Sequence, residues 1–136
     1  MTDANYSRRL EDMWDYRGHR DYDMDDIILL KAGRHIRPAA HFKMIVGRAE
    51  SENNFLNGYR RLFTHLSIKN EAGPLALIDG DVDSNDIILA AKILARFSSG
   101  KHMPEVVADI HPVKGEAYPI NVAPFTPDDV KKEWYI

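Results

Sequence analysis

Between Asp86 and Gly100 the chain reads DIILAAKILARFSSG, a run of helical length that is apolar on almost every side. A helix of that kind is stable only where other elements cover most of its surface. Ala90, Ala91 and Ala95 are small enough to let a sheet come close. Ser84 is the expected N-cap, Asp86 in the first turn suits the positive end of the helix dipole, and Gly100 is the residue type found just past a helix end. The rest of the chain must therefore supply enough strand to bury this helix.

The flanking segments have that character. DIILLKAGRHIRP is β-branched and apolar, breaks at Gly33 and stops at Pro38; HFKMIVGR follows after a short turn, and the two are expected to pair as a hairpin. FTHLSIK and PLALIDG, joined by the loop NEAG, precede the apolar helix, while EVVADIHPVK and AYPINVAPF follow it. Two more helices are expected. In YSRRLEDMWDYR, Tyr6, Leu10, Met13, Trp14 and Arg17 recur at helical spacing; in ESENNFLNGYRRLF, Phe55, Tyr59 and Leu62 should face inward. Thr126-Pro127-Asp128-Asp129 reads as the start of a short terminal helix. Pairs of strands separated by single helices predict an α+β domain of order α-ββ-α-ββ-α-ββ-α, its mostly antiparallel sheet packed on the Ala-rich helix. Residues 1–26 are expected to form an amphipathic helix and acidic linker, and 27–136 the domain proper.

Composition excludes several function classes. There is no cysteine, hence no disulfide, thiolate metal site or cysteine nucleophile. No apolar run approaches membrane-spanning length, and the polar, acidic N-terminus does not resemble a targeting peptide, so a cytoplasmic protein is expected. The net charge of −3 argues against an indiscriminate polyanion binder, but it is unevenly spread. Residues 1–26 hold eight acids against four Lys/Arg and 128–136 three against two, which leaves ten acids and twelve bases in 27–127, with five of the six histidines. A local RNA footprint is compatible with that distribution.

No catalytic motif stands out. In DGDVDSND the acids alternate as calcium ligands would, yet a loop beginning at Asp79 would need Gly and Glu where Ser84 and Ala90 stand. A solvated loop capping the helix is the simpler reading. His35, His41, His65, His102 and His111 lack zinc spacing, and neither a metal nor a cofactor is expected. His65 alternates with Leu66 in an apolar strand and fits either a half-buried structural histidine or a ligand contact.

VGRAESENNFL carries the clearest signal. Gly47 permits a tight exit from a strand, and Arg48 then precedes a helix N-terminus, where orphan N–H groups and a guanidinium together suit a phosphate. Glu50 and Glu52 would compete with an anion there. Asn53 can donate and accept, which suits a base edge, a ribose or a structural bond to a loop.

An ordered series of features extends from this point. Gly47-Arg48 is followed by Asn53, a strand with a central His65, the Gly73-Pro74 turn and LALI; then come Ala90-Ala91, Phe97-Ser98, Lys101, Val106-Val107, Lys114-Gly115 and VAPFTPDD. Over residues 27–130 this series resembles the NFACT RNA-binding domain family of ribosome-quality-control factors and bacterial fibronectin-binding-protein-like proteins. LLKAGRHIRP and GPLALI look closer to the branch found at the C-terminus of PP-loop enzymes similar to tRNA thiouridylases. Ala49, Arg61 and Leu75 depart from the quality-control branch.

The resemblance implies a non-catalytic domain that binds tRNA or another structured RNA, within a tRNA-thiolation or ribosome-associated system. It implies an RNA face of Gly47, Arg48, Asn53, His65, Ser98, Lys101 and Lys114, flanked by Arg34 and Arg37. A PP-loop sulfurtransferase-type protein, fused or separate, is the expected protein partner. The alternative is a protein-interaction module docking that partner through the Met13–Trp14 stripe and the C-terminal EWYI.

Overall fold

The computed structural model describes residues 4–17, 29–30, 32–59, 62–69 and 74–136. In chain order its elements are α1 (Ala4–Arg17), β1 (Arg34–Ala39), β2 (Phe42–Val46), α2 (Glu50–Asn57), β3 (Thr64–Ile68), β4 (Ala76–Gly80), α3 (Ser84–Arg96), β5 (Val106–His111) and β6 (Tyr118–Val122). Two 3-10 turns, Pro127–Asp129 and Lys132–Trp134, stand where a terminal helix was expected. The architecture is α+β: among the described residues, these three helices, a helical piece at Leu29–Leu30 and one six-stranded antiparallel sheet of order β1-β2-β4-β3-β5-β6. The expected 18–26 linker and the NEAG loop lie outside the described residues.

The helix α3 begins one residue earlier than its sequence suggests. Asp83 is the cap, its Oδ1 accepting the Asp86 N–H at 2.8 Å while Asp86 Oδ2 accepts the Asp83 N–H at 3.1 Å. A carboxylate satisfies an orphan donor better than a hydroxyl because the bond is charge-assisted. Ala90, Ala91, Leu94 and Ala95 are fully buried and share one core with Met44, Val46, Leu66, Ile78, Ala108 and Ile110, every second residue of their strands. The absence of bulk at the three alanines is what brings the helix axis down onto the sheet.

The opposite sheet face carries a second apolar cluster. Leu29, Ala32, Ile45, Leu56 and Leu77 form a second, smaller core there, with Tyr59, Phe63 and Leu75 packed at its margin. Two expectations are corrected at this point. The Ile-Leu run before Gly33 is not an unbroken strand: Leu29 and Leu30 are helical and buried, and β1 starts only at Arg34. In α2 the inward residue is Leu56, whereas Phe55 and Leu62 are 39% and 64% exposed. With only two turns, α2 has too short an inner face for the longer period to apply. Its inward side is set by what meets β2 and β4.

The N- and C-terminal segments lock onto the outer strand β1. Arg9 is buried and donates to the carbonyls of Leu30 (2.9 Å), Gly33 (3.2 Å) and Ile136 (2.9 Å). Asp12 grips Arg37 with two 2.6 Å bonds. Tyr135 bridges to Ile36, and the Ile136 N–H donates to His35 O at 3.0 Å. These contacts cover the outer edge of β1 at His35 and Ile36. His35 is itself buried, its Nε2 lying 3.0 Å from the carbonyls of Leu29 and Ala32, so this nitrogen carries the proton. Burial first, and then the charges of Lys43 and Arg9, push the imidazole well below its ordinary pKa. It is a neutral structural tie. Gly33 must be glycine, since its φ is +67° and an added Cβ would sit 2.6 Å from the Val46 carbonyl oxygen.

Candidate nucleic-acid interface

A cleft of about 760 Å³ opens at the end of the sheet where β2 stops and β4 starts. Four cationic side chains line it, from four places in the chain: Arg34 opens β1, Arg48 follows β2, Arg96 ends α3, and Lys101 lies in the turns after α3. Gly47, Asn53 and Pro74 form the wall beside them, and among the described residues Glu50 is the one acid in the lining. The Arg34 guanidinium carbon sits 4.7 Å from the centroid of the Phe97 ring, a contact that holds the cation at the cleft wall.

The wall depends on the Gly47–Asn53 pair. Past the last ladder pair Val46–Ala76, the Gly47 N–H donates to Leu75 O at 3.1 Å, and the Leu75 N–H turns to Asn53 Oδ1, also at 3.1 Å. A Cβ on Gly47 would lie 1.9 Å from that Oδ1. Glycine is needed here for space, so that a side-chain amide can dock against the strand exit.

Glu52 organises the other side of the turn. Its carboxylate accepts from the Arg48 N–H (2.9 Å), Arg48 Nε (3.0 Å), Arg48 Nη2 (2.8 Å) and the Gly33 N–H (3.0 Å). The bonds from the Arg48 side chain, followed by those from the two backbone N–H groups, hold its pKa down at about 2 against the opposing effect of burial. The same pair raises the pKa of Arg48 above its ordinary value. Glu52 thus ties the approach to β1 and the exit of β2 to α2, and it aims a half-exposed guanidinium at the cleft.

Of the residues singled out in the sequence, the structure brings Arg34, Gly47, Arg48, Asn53 and Lys101 to this cleft. The others lie elsewhere or serve the fold. Arg37 is engaged by Asp12. The Ser98 hydroxyl is buried, donating to Ala95 O (2.7 Å) and accepting the Gly100 N–H (3.2 Å), so it shapes the turn that presents Lys101. His65 lies across from His111 on β5, the rings stacked at 4.4 Å and within 2° of parallel. Lys114 borders a second cleft, about 550 Å³, at the opposite end of β4. Sequence reasoning passed over Arg96 and Phe97 as cleft residues. The available signal was the basic residue in the last turn of an otherwise apolar helix.

Among the described residues, no group of three or more His, Cys, Asp or Glu is placed to hold a metal ion, and no helix is long and apolar enough to cross a membrane. Fold and cleft together define a small α+β module with a cationic groove at one sheet end. The chain belongs to the NFACT protein RNA-binding domain family, whose signature matches residues 33–135. Among solved structures it is similar to the C-terminal part of the fibronectin/fibrinogen-binding protein from Streptococcus suis, at 20% identity and a TM-score of 0.57. That match covers 77% of this chain and 50% of the other, and at this identity it is a likeness of fold. No curated protein matches the sequence.

Proposed function

We propose that this protein is a non-catalytic RNA-binding domain that holds a ribose-phosphate chain in the cleft between β1, the β2–α2 turn and the end of α3. The observation that carries this reading is the convergence of Arg34, Arg48, Arg96 and Lys101 on one cleft in a chain of net charge −3. Isolated surface cations are unremarkable, but four lining one concavity create a local positive field that a phosphate backbone fits. Membership of an RNA-binding domain family supports the choice of RNA.

The RNA is proposed to be tRNA or another structured RNA, delivered in the cytoplasm to a thiolating PP-loop enzyme or to a ribosome-associated system. The similarity of LLKAGRHIRP and GPLALI to the thiouridylase-attached branch supports tRNA. The rival reading, docking through the aromatic termini, has less free surface to use. Met13 is buried and Trp134 packs against the main core.

Anisotropy of labelled tRNA across a salt series, with duplex DNA as competitor, tests the reading. Binding should weaken with salt, and Arg96→Ala and Lys101→Ala should each reduce the log–log slope by about 0.7 to 0.9. Both residues lie at or beyond the end of α3, so thermal unfolding should change little. Absence of tRNA binding at low salt, or an unchanged slope in the double variant, would overturn it.

A further inference from the structure

Apart from the exposed Glu50, the hydrogen-bonding side chains that line the cleft among the described residues present donors, and for Asn53 the fold makes it one. An amide can ordinarily present either end to a ligand. Here the Leu75 N–H, itself a donor, bonds Oδ1 at 3.1 Å, which fixes the amide oxygen towards the strand exit. Turning the amide over would set Nδ2 against that N–H, donor against donor, and lose the bond. Nδ2 has no hydrogen-bond partner among the described residues, and Asn53 lines the cleft with Arg48, Arg96 and Lys101. Glu50, the one acceptor, is exposed, where water competes for it.

A wall of donors has a definite recognition chemistry. Adenine, cytosine and uracil all offer acceptors, so donors alone separate them poorly; discrimination needs donors and acceptors placed together. Phosphate oxygens are the strongest acceptors on an RNA strand, and charge-assisted bonds to them outweigh bonds to neutral bases.

We infer that the cleft reads the sugar-phosphate chain and is blind to base identity, with Asn53 acting as a fixed donor to a phosphate or ribose oxygen through Nδ2. This rests on the RNA-binding reading above and assigns the residue's two ends separate roles: Oδ1 holds the fold and Nδ2 holds the ligand. Any sequence selectivity of a larger assembly must then come from outside this cleft.

The ends can be separated by substitution. Asn53→Asp keeps an acceptor for the Leu75 N–H but removes the donor and adds a charge. Ser51→Asp is the control, placing the same charge on α2 outside the cleft lining. The probes are fluorescein-labelled single-stranded homopolymers of A, C and U, titrated at low salt into the full chain, each variant held below its own unfolding midpoint. Wild type should bind all three within about threefold, and Asn53→Asp should weaken all three by about tenfold more than Ser51→Asp does. Equal losses in the two variants would reduce the effect to simple charge repulsion and overturn the donor role. A wild-type preference beyond about tenfold for one homopolymer would overturn base-blindness, leaving RNA binding intact. If wild type binds neither the homopolymers nor labelled tRNA, the RNA reading itself falls and this inference with it.

Discussion

Glu52→Gln should lower stability by about 1–2 kcal/mol at neutral pH and by almost nothing near pH 2. The carboxylate collects four donors from Gly33 and Arg48, but the Arg48 side chain is 50% exposed against 21% for Glu52, so solvent screens part of the interaction. Its pKa falls from 4.5 to about 2 on folding, chiefly through the Arg48 guanidinium bonds. A depressed folded-state pKa means that the stabilisation is complete above about 4.5 and drains away as pH falls towards 2. The neutral amide still accepts one or two of these bonds but loses the charge-assisted part. Thermal unfolding at neutral pH should show a midpoint roughly 5 °C lower than wild type. The two curves should converge on acidification between pH 4.5 and about 2. A constant offset across that window would mean that the loss is one of packing and not of ionisation.

Gly47→Ala should be the most damaging single-methyl change at the cleft. Its Cβ would be placed 1.9 Å from Asn53 Oδ1 and 3.2 Å from Asn53 N, and the second of these atoms is backbone. The amide must leave, which orphans the Leu75 N–H and pushes the start of α2 away from the sheet. Overpacking and a lost bond to a half-buried donor together cost about 2–4 kcal/mol. RNA affinity should fall with stability, because the same displacement moves Asn53 and Arg48. Gly58→Ala makes the comparison: its φ is −65°, and its nearest contact, the Phe55 carbonyl oxygen at 3.2 Å, needs only a few tenths of an ångström of relief. The Gly58 variant should keep tRNA binding within about twofold of wild type. Equal damage from both substitutions would remove the special role argued for Gly47.

The polarity of the turn after β2 stood out in the sequence, yet its meaning did not. Glu52 could be read as a competitor for an anion, but in the fold it anchors Arg48. Asn53 left a structural bond and a ligand contact as open alternatives, and its two ends divide them. Ser98 was expected on the RNA face and is instead buried within its own turn. In each case a residue type narrows the chemistry, while the neighbour that completes it comes from a distant part of the chain.

Local patterns determined the elements. The all-round apolarity of 86–100 demanded a covering sheet, period-two alternation placed Leu66 opposite His65, and the capping residues located the start of α3 to within a residue. These effects operate between near neighbours, through backbone preference and the solvent exposure of adjacent side chains, so a linear string records them. The cleft is different. Arg34 and Arg96 share one site because β4 inserts between β2 and β3 and the helix crossing that sheet ends where Phe97 meets Arg34 at the start of β1. That insertion is settled by long-range strand pairing and by which face of each strand the Ala-rich helix can bury, and it was the tertiary structure alone that decided it.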